Sequence, residues 1–158
     1  LRRRMLTAGE GEFAALGYEE AFHRIAHGVA LWRRRCWPLY GFVPPAWLIG
    51  SEARRALAAF PFAYTTTRTR VARCDGTAAV DTTTLAYSTR SPLRRGASHA
   101  AVELARLASG RALLRITLHP ADAEHPGVLA HWRRVIAKAV ARRTPMTKAE
   151  WVRHVMEP

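Results

Sequence analysis

Cysteine is scarce in this 158-residue chain, with only Cys36 and Cys74. Two such thiols form no disulfide framework and carry no metal-ligand spacing, which fits a reducing, cytoplasmic setting. Long apolar runs are missing too. None approaches the ~18 residues of a membrane-crossing helix, so no membrane span is expected. Acidic side chains are few, 12 against 25 basic ones, for a net charge of +13. Such an excess is one footprint of a nucleic-acid binder. Here it is scattered as Arg clusters at 2–4, 33–35, 94–95, 133–134 and 142–143, with no zinc-finger, helix-turn-helix or RNA-binding pattern beside it. Solvated helix faces are the plainer reading, and no nucleic-acid partner is expected. The chain also lacks a first Met and opens on Leu1. It therefore reads as a fragment, with an upstream targeting signal left open.

What is present argues for a folded α/β chain. Hydrophobic residues make up 49%, five of them Trp, which excludes a disordered chain. The length suffices for one core, and 1–158 reads as a single domain. Residues 112–118 (ALLRITL) are a continuous β-favouring run, read as a buried parallel strand that stops at His119-Pro120. A titratable side chain at the carboxyl end of such a strand is where α/β folds place chemistry, or it merely caps the strand. Around it the pattern alternates. A helix is predicted over 18–35, where Tyr18, Phe22, Ile25, Val29 and Trp32 recur at three and four. Strands are predicted over 39–43, 62–67 and 82–88. Further helices are predicted over 52–59 (capped by Ser51), 98–108 and 128–140, with a last short one behind a Thr147/Glu150 capping box. Cys74-Asp75-Gly76-Thr77 reads as a turn. Strand–helix alternation implies parallel β structure with helices outside.

Three segments are oddly specified. Gly9-Glu10-Gly11-Glu12-Phe13 sets two carboxylates between glycines, able to approach a ligand closely or simply forming an acidic loop. Gly41-Phe42-Val43-Pro44-Pro45-Ala46-Trp47 gives a strand a rigid exit, either to fix a backbone N–H or as a stiff turn. The third is Leu118-His119-Pro120-Ala121-Asp122. Placed at strand exits, all three could share one rim.

On these segments, from about Arg4 to Trp151, the chain resembles the polysaccharide deacetylase (NodB-type) superfamily, in a bacterial branch with GEGEF, GFVPPAW and LHP motifs. The resemblance implies a distorted (β/α) barrel and hydrolysis of an acetamide C–N bond on an N-acetylated carbohydrate by a metal-bound water. It implies that His119 is the general acid and that the backbone at Pro45-Ala46 holds the oxyanion. Glu10, Glu12, Phe13 and Trp47 are assigned to substrate binding. The family's Asp-Asp pair and its upstream His-x-x-x-His are absent, and Val43 stands where the family usually has Arg. The chain thus looks like the carboxyl part of such a barrel without its first strands. No metal is expected in this chain, and a divalent ion such as zinc only in the intact family member. The alternative is a non-catalytic carbohydrate-binding or scaffolding domain.

His23 and His27 also match His-x-x-x-His, but helical geometry sets them opposite Phe22, Ile25 and Val29, on a solvent face. His99, His131 and His154 read as helix-surface residues, and His125 as a loop residue. A barrel lacking strands would expose an edge beside 39–43, so self-association is expected there.

Overall fold

In the computed structural model, which describes residues 11–107, 110 and 113–156, the apolar spacing after Gly17 forms helix α1, Tyr18–Arg34. Glu19 and Glu20 lie in its first turn and Arg33 and Arg34 in its last, the charges that the helix dipole favours at each end. Ala21, Ile25 and Val29 make the buried stripe, while His23 and His27 are exposed as the helical geometry requires. Strand β1 is short, Gly41–Phe42, and leads into a 3-10 turn at Pro45–Trp47. Helix α2, Ser51–Leu57, buries Ala53, Ala56 and Leu57 against α1. Ser51 is its first helical residue, and the capping position belongs to Gly50.

Strands β2 (Tyr64–Thr66), β3 (Arg70–Arg73) and β4 (Ala79–Asp81) complete a four-stranded sheet in the order β1-β2-β3-β4. β1 runs parallel to β2, with Gly41 opposite Tyr64, while β3 is antiparallel to β2, with Ala72 opposite Thr65. The turn before β4 is the one predicted. Asp75 Oδ1 accepts the Thr77 N–H at 3.0 Å, and Gly76 takes a positive φ of 78° that suits glycine.

A second, two-stranded sheet pairs β5 (Thr83–Ala86) in parallel with β6 (Leu114–Thr117), Leu85 opposite Ile116. Between them runs α3, Pro92–Leu107. After β6 come a 3-10 helix at Pro120–Glu124 and α4, Pro126–Val140. Helix α5, Lys148–Met156, follows a reciprocal cap. The Glu150 carboxylate accepts the Thr147 N–H at 2.7 Å, and the Thr147 hydroxyl accepts the Glu150 N–H at 3.2 Å.

The chain divides into two compact units, the first drawn from 1–80 and 147–158 and the second from 81–146. One apolar cluster, with Phe13, Ile25, Val29 and Leu57, lies in the first. Another, with Leu85, Tyr87, Val102, Val128, Trp132 and Val135, lies in the second.

The (β/α) barrel expectation is overturned. The described strands form open sheets of four and two, with no closed barrel among them. The reason is connection length. Only residues 67–69 join β2 to β3, closed by the Thr67 N–H to Arg70 O bond at 2.9 Å. Only residues 74–78 join β3 to β4. A parallel crossover needs a dozen residues or more, so both turns make antiparallel pairs. The strand over 112–118 is also less buried than its apolar run suggests. Of β6 it is Arg115 that is buried, and Leu118 beyond it is 55% exposed. Residue 112 lies outside the described residues.

Candidate functional site

The parallel pair β5–β6 delivers two segments to the same carboxyl ends: Tyr87-Ser88 after β5 and Leu118-His119 after β6. His119 is where its sequence position put it, at the strand exit, with its side chain exposed. Asp122 holds it there. The Asp122 Oδ2 accepts the His119 backbone N–H at 3.2 Å, and the Asp122 N–H donates to His119 O at 2.9 Å. The same Oδ2 accepts the indole N–H of Trp132 at 2.9 Å, which ties the loop to the core side of α4. Asp122 is only 3% exposed, and its Oδ1 has no hydrogen-bond partner among the described residues.

Beside this loop lies a buried relay that the sequence reading assigned to the surface. His131 is 1% exposed. Its Nε2 bonds Glu103 Oε1 at 2.8 Å, and its Nδ1 bonds the Tyr87 hydroxyl. Two hydrogen-bond partners, Arg106 first and His131 second, pull the Glu103 carboxyl down to about 2. Burial, with Asp122 and Glu103 adding to it, pushes the Tyr87 phenol up to about 12. Glu103 is therefore an acceptor and Tyr87 a donor at neutral pH. That pair of partners sets the imidazole as the Nε2–H tautomer, with Nδ1 accepting from Tyr87. The signal was present in the spacing, since His131 falls three after Val128 and four before Val135, on the buried stripe of α4.

His99 of α3 stacks on His131, ring centroids 3.8 Å apart and 20° from parallel. It opens on a cleft of about 570 Å³, within the second unit, lined among others by Tyr87, Arg95, His99 and His125.

In the first unit the acidic loop and the strand exit come together. Phe13 is buried and meets Phe42 edge-on, centroids 5.2 Å apart, and the Gly50 N–H donates to Phe13 O at 2.9 Å. Phe13 is thus a core residue. Glu12 lies at the surface, 3.6 Å from the Arg24 guanidinium. Glu10 lies outside the described residues. Pro44 is buried, and after it Ala46 (φ 52°) and Trp47 (φ 57°) are both left-handed. Consecutive left-handed residues other than glycine are strained, by about 1–3 kcal/mol each, and such strain persists only where the surroundings impose it. Trp47 and Leu48 donate their N–H groups back to Pro44 O and Pro45 O, while the Ala46 N–H has no backbone acceptor among the described residues.

Comparison with protein-family models, curated proteins and solved structures returns no match. No group of three or more His, Cys, Asp or Glu side chains that could hold a metal ion occurs among the described residues. The described side chains do not fit the metal that the deacetylase resemblance implies. No helix of the described residues is long and apolar enough to cross a membrane.

Proposed function

We propose that the chain is part of a deacetylase-like protein that hydrolyses the acetamide C–N bond of an N-acetylated carbohydrate, with His119 as general acid. The observation that carries this reading is the placement of His119. It leaves a parallel strand with its backbone pinned by a buried carboxylate and its imidazole open to solvent. A fixed backbone with a free titratable tip is what proton donation to a departing amine needs. The order of the motifs around Phe13, Phe42 to Trp47 and His119 supports the same reading. The experiment is acetate release from an acetylated oligosaccharide by the intact protein. His119→Ala should lower kcat by roughly 10²- to 10⁴-fold with KM little changed, because proton donation acts in the transition state. Unchanged turnover in a folded variant removes His119 from the chemistry.

A specific observation favours a second reading, carbohydrate binding without turnover. Trp32 and Trp37 are 40% and 47% exposed and meet edge-on at 4.9 Å, with the Arg35 guanidinium 5.2 Å over the Trp37 ring. Exposed aromatic faces are apolar platforms on which the C–H face of a sugar can rest. In the same assay this reading expects the oligosaccharide to quench tryptophan fluorescence while no acetate is released.

A further inference from the structure

The cleft of the second unit collects positive and proton-donating groups from two helices. Arg95 and His99 come from α3, one helical turn apart, and His125 stands at the entrance of α4. Arg95 spends Nη1 on Thr89 O at 3.2 Å, and its other guanidinium donors have no partner among the described residues. The side chains of His99 and His125 make no hydrogen bond among the described residues. His99 is held instead by its stack on the buried His131, which Tyr87 and Glu103 lock in place. The floor is the amino end of the 15-residue helix α4. Pro126 has no N–H, His125 gives no side-chain cap, and the first-turn N–H groups of Gly127 and Val128 are left with the positive end of the dipole. No Asp or Glu among the described residues lines the cleft. Glu103, one turn beyond His99, is occupied by Arg106 and His131. Two glycines keep the space open, since a Cβ added at Gly96 or Gly127 would meet nothing within 4 Å.

We infer that this cleft binds an oxyanion carried by a small molecule, a phosphate ester or a carboxylate-bearing sugar, between the Arg95 guanidinium, the His99 and His125 rings and the start of α4. Its volume of about 570 Å³ is in the range of small-molecule sites. The inference is independent of the hydrolytic reading and survives if His119 proves inert.

The test is a calorimetric or NMR titration of the 158-residue chain with three probes: inorganic phosphate, glucuronate and neutral N-acetylglucosamine. Saturable binding of phosphate or glucuronate, without binding of the neutral sugar, is expected. Arg95→Gln should weaken it about tenfold or more, the worth of one charge-assisted contact. Arg133→Gln, which removes the same charge from an exposed position on α4, should leave it unchanged. Phosphate alone would identify a phosphate ester as the ligand class, and glucuronate alone a carboxylate. Equal loss in both Arg variants would overturn the inference, because the whole positive surface would then be responsible. So would binding that never saturates. If Arg95→Gln fails to fold, Gly96→Leu serves instead. Its side chain enters the open space and should abolish binding, and undiminished binding would overturn the inference.

Discussion

His131 has a negative acceptor on one side and a neutral donor on the other, and this decides its behaviour. Glu103 bonds Nε2 and Tyr87 bonds Nδ1, so both ring nitrogens have a partner while the residue is 1% exposed. The Glu103 carboxyl titrates in the fold at about 2, against an ordinary value of 4.5, chiefly through Arg106 and then His131. A carboxyl depressed on folding stabilises the fold above its unfolded value and loses that contribution as pH falls toward the folded value. Urea unfolding should therefore show wild type more stable than Glu103→Gln at pH 7. The gap should narrow from about pH 4.5 downward and vanish near pH 2. A gap independent of pH would mean that the carboxylate charge is not what Glu103 contributes. Of this relay, His131 was read as a helix-surface residue, although its place between Val128 and Val135 on the α4 stripe carried the signal of its burial. Glu103 and Tyr87 were not legible as its partners, because they lie 28 and 44 residues away in sequence.

At the scale of elements, two glycines with opposite surroundings test the packing. Gly28 lies on the exposed face of α1, and a Cβ there would meet nothing within 4 Å. Gly28→Ala should stabilise the chain by about 0.5–1 kcal/mol, the intrinsic cost of glycine inside a helix. Gly41 of β1 faces the ring of Tyr64 on the neighbouring strand, which an added Cβ would run into. Gly41→Ala should cost about 1–3 kcal/mol by overpacking. Denaturant midpoints of the two variants should move in opposite directions. If both move the same way, the packing of β1 on β2 is not as described. Gly41 belongs to a segment whose spelling was legible as a rigid strand exit. Its reason for being glycine is a ring 23 residues further on, which no local pattern contains.

At the scale of the whole molecule, net charge and sheet edges oppose one another. β1 and β4 are the outer strands of the first sheet, and unpaired strand edges are templates for association. A net charge of +13 keeps copies apart where the repulsion is not screened. The screening length falls from about 10 Å at 0.1 M salt to about 3 Å at 1 M. Self-association is therefore expected to rise with salt, and light scattering should report a larger mass at 1 M than at 0.1 M. A mass that stays monomeric across that range would set edge pairing aside.

Local physics made much of this chain legible from its residues alone. The three-and-four spacing of Tyr18, Phe22, Ile25 and Val29 determined α1 and which of its histidines face water. Thr147 and Glu150 determined the start of α5, Asp75-Gly76 a turn, and Pro120 the end of a strand with His119 at its exit. Each rests on forces acting within about one helical turn or one hairpin, which the order of residues records directly. Strand partnership was decided elsewhere. β1 pairs with a strand over twenty residues away and β5 with one about thirty away, while β2, β3 and β4 close on short turns. The alternation of apolar runs is compatible with a barrel or with open sheets. Only the cost of closing each connection, and the side chains that meet once it is closed, selects between them. The Tyr87–His131–Glu103 relay and the cleft above it are products of that closure.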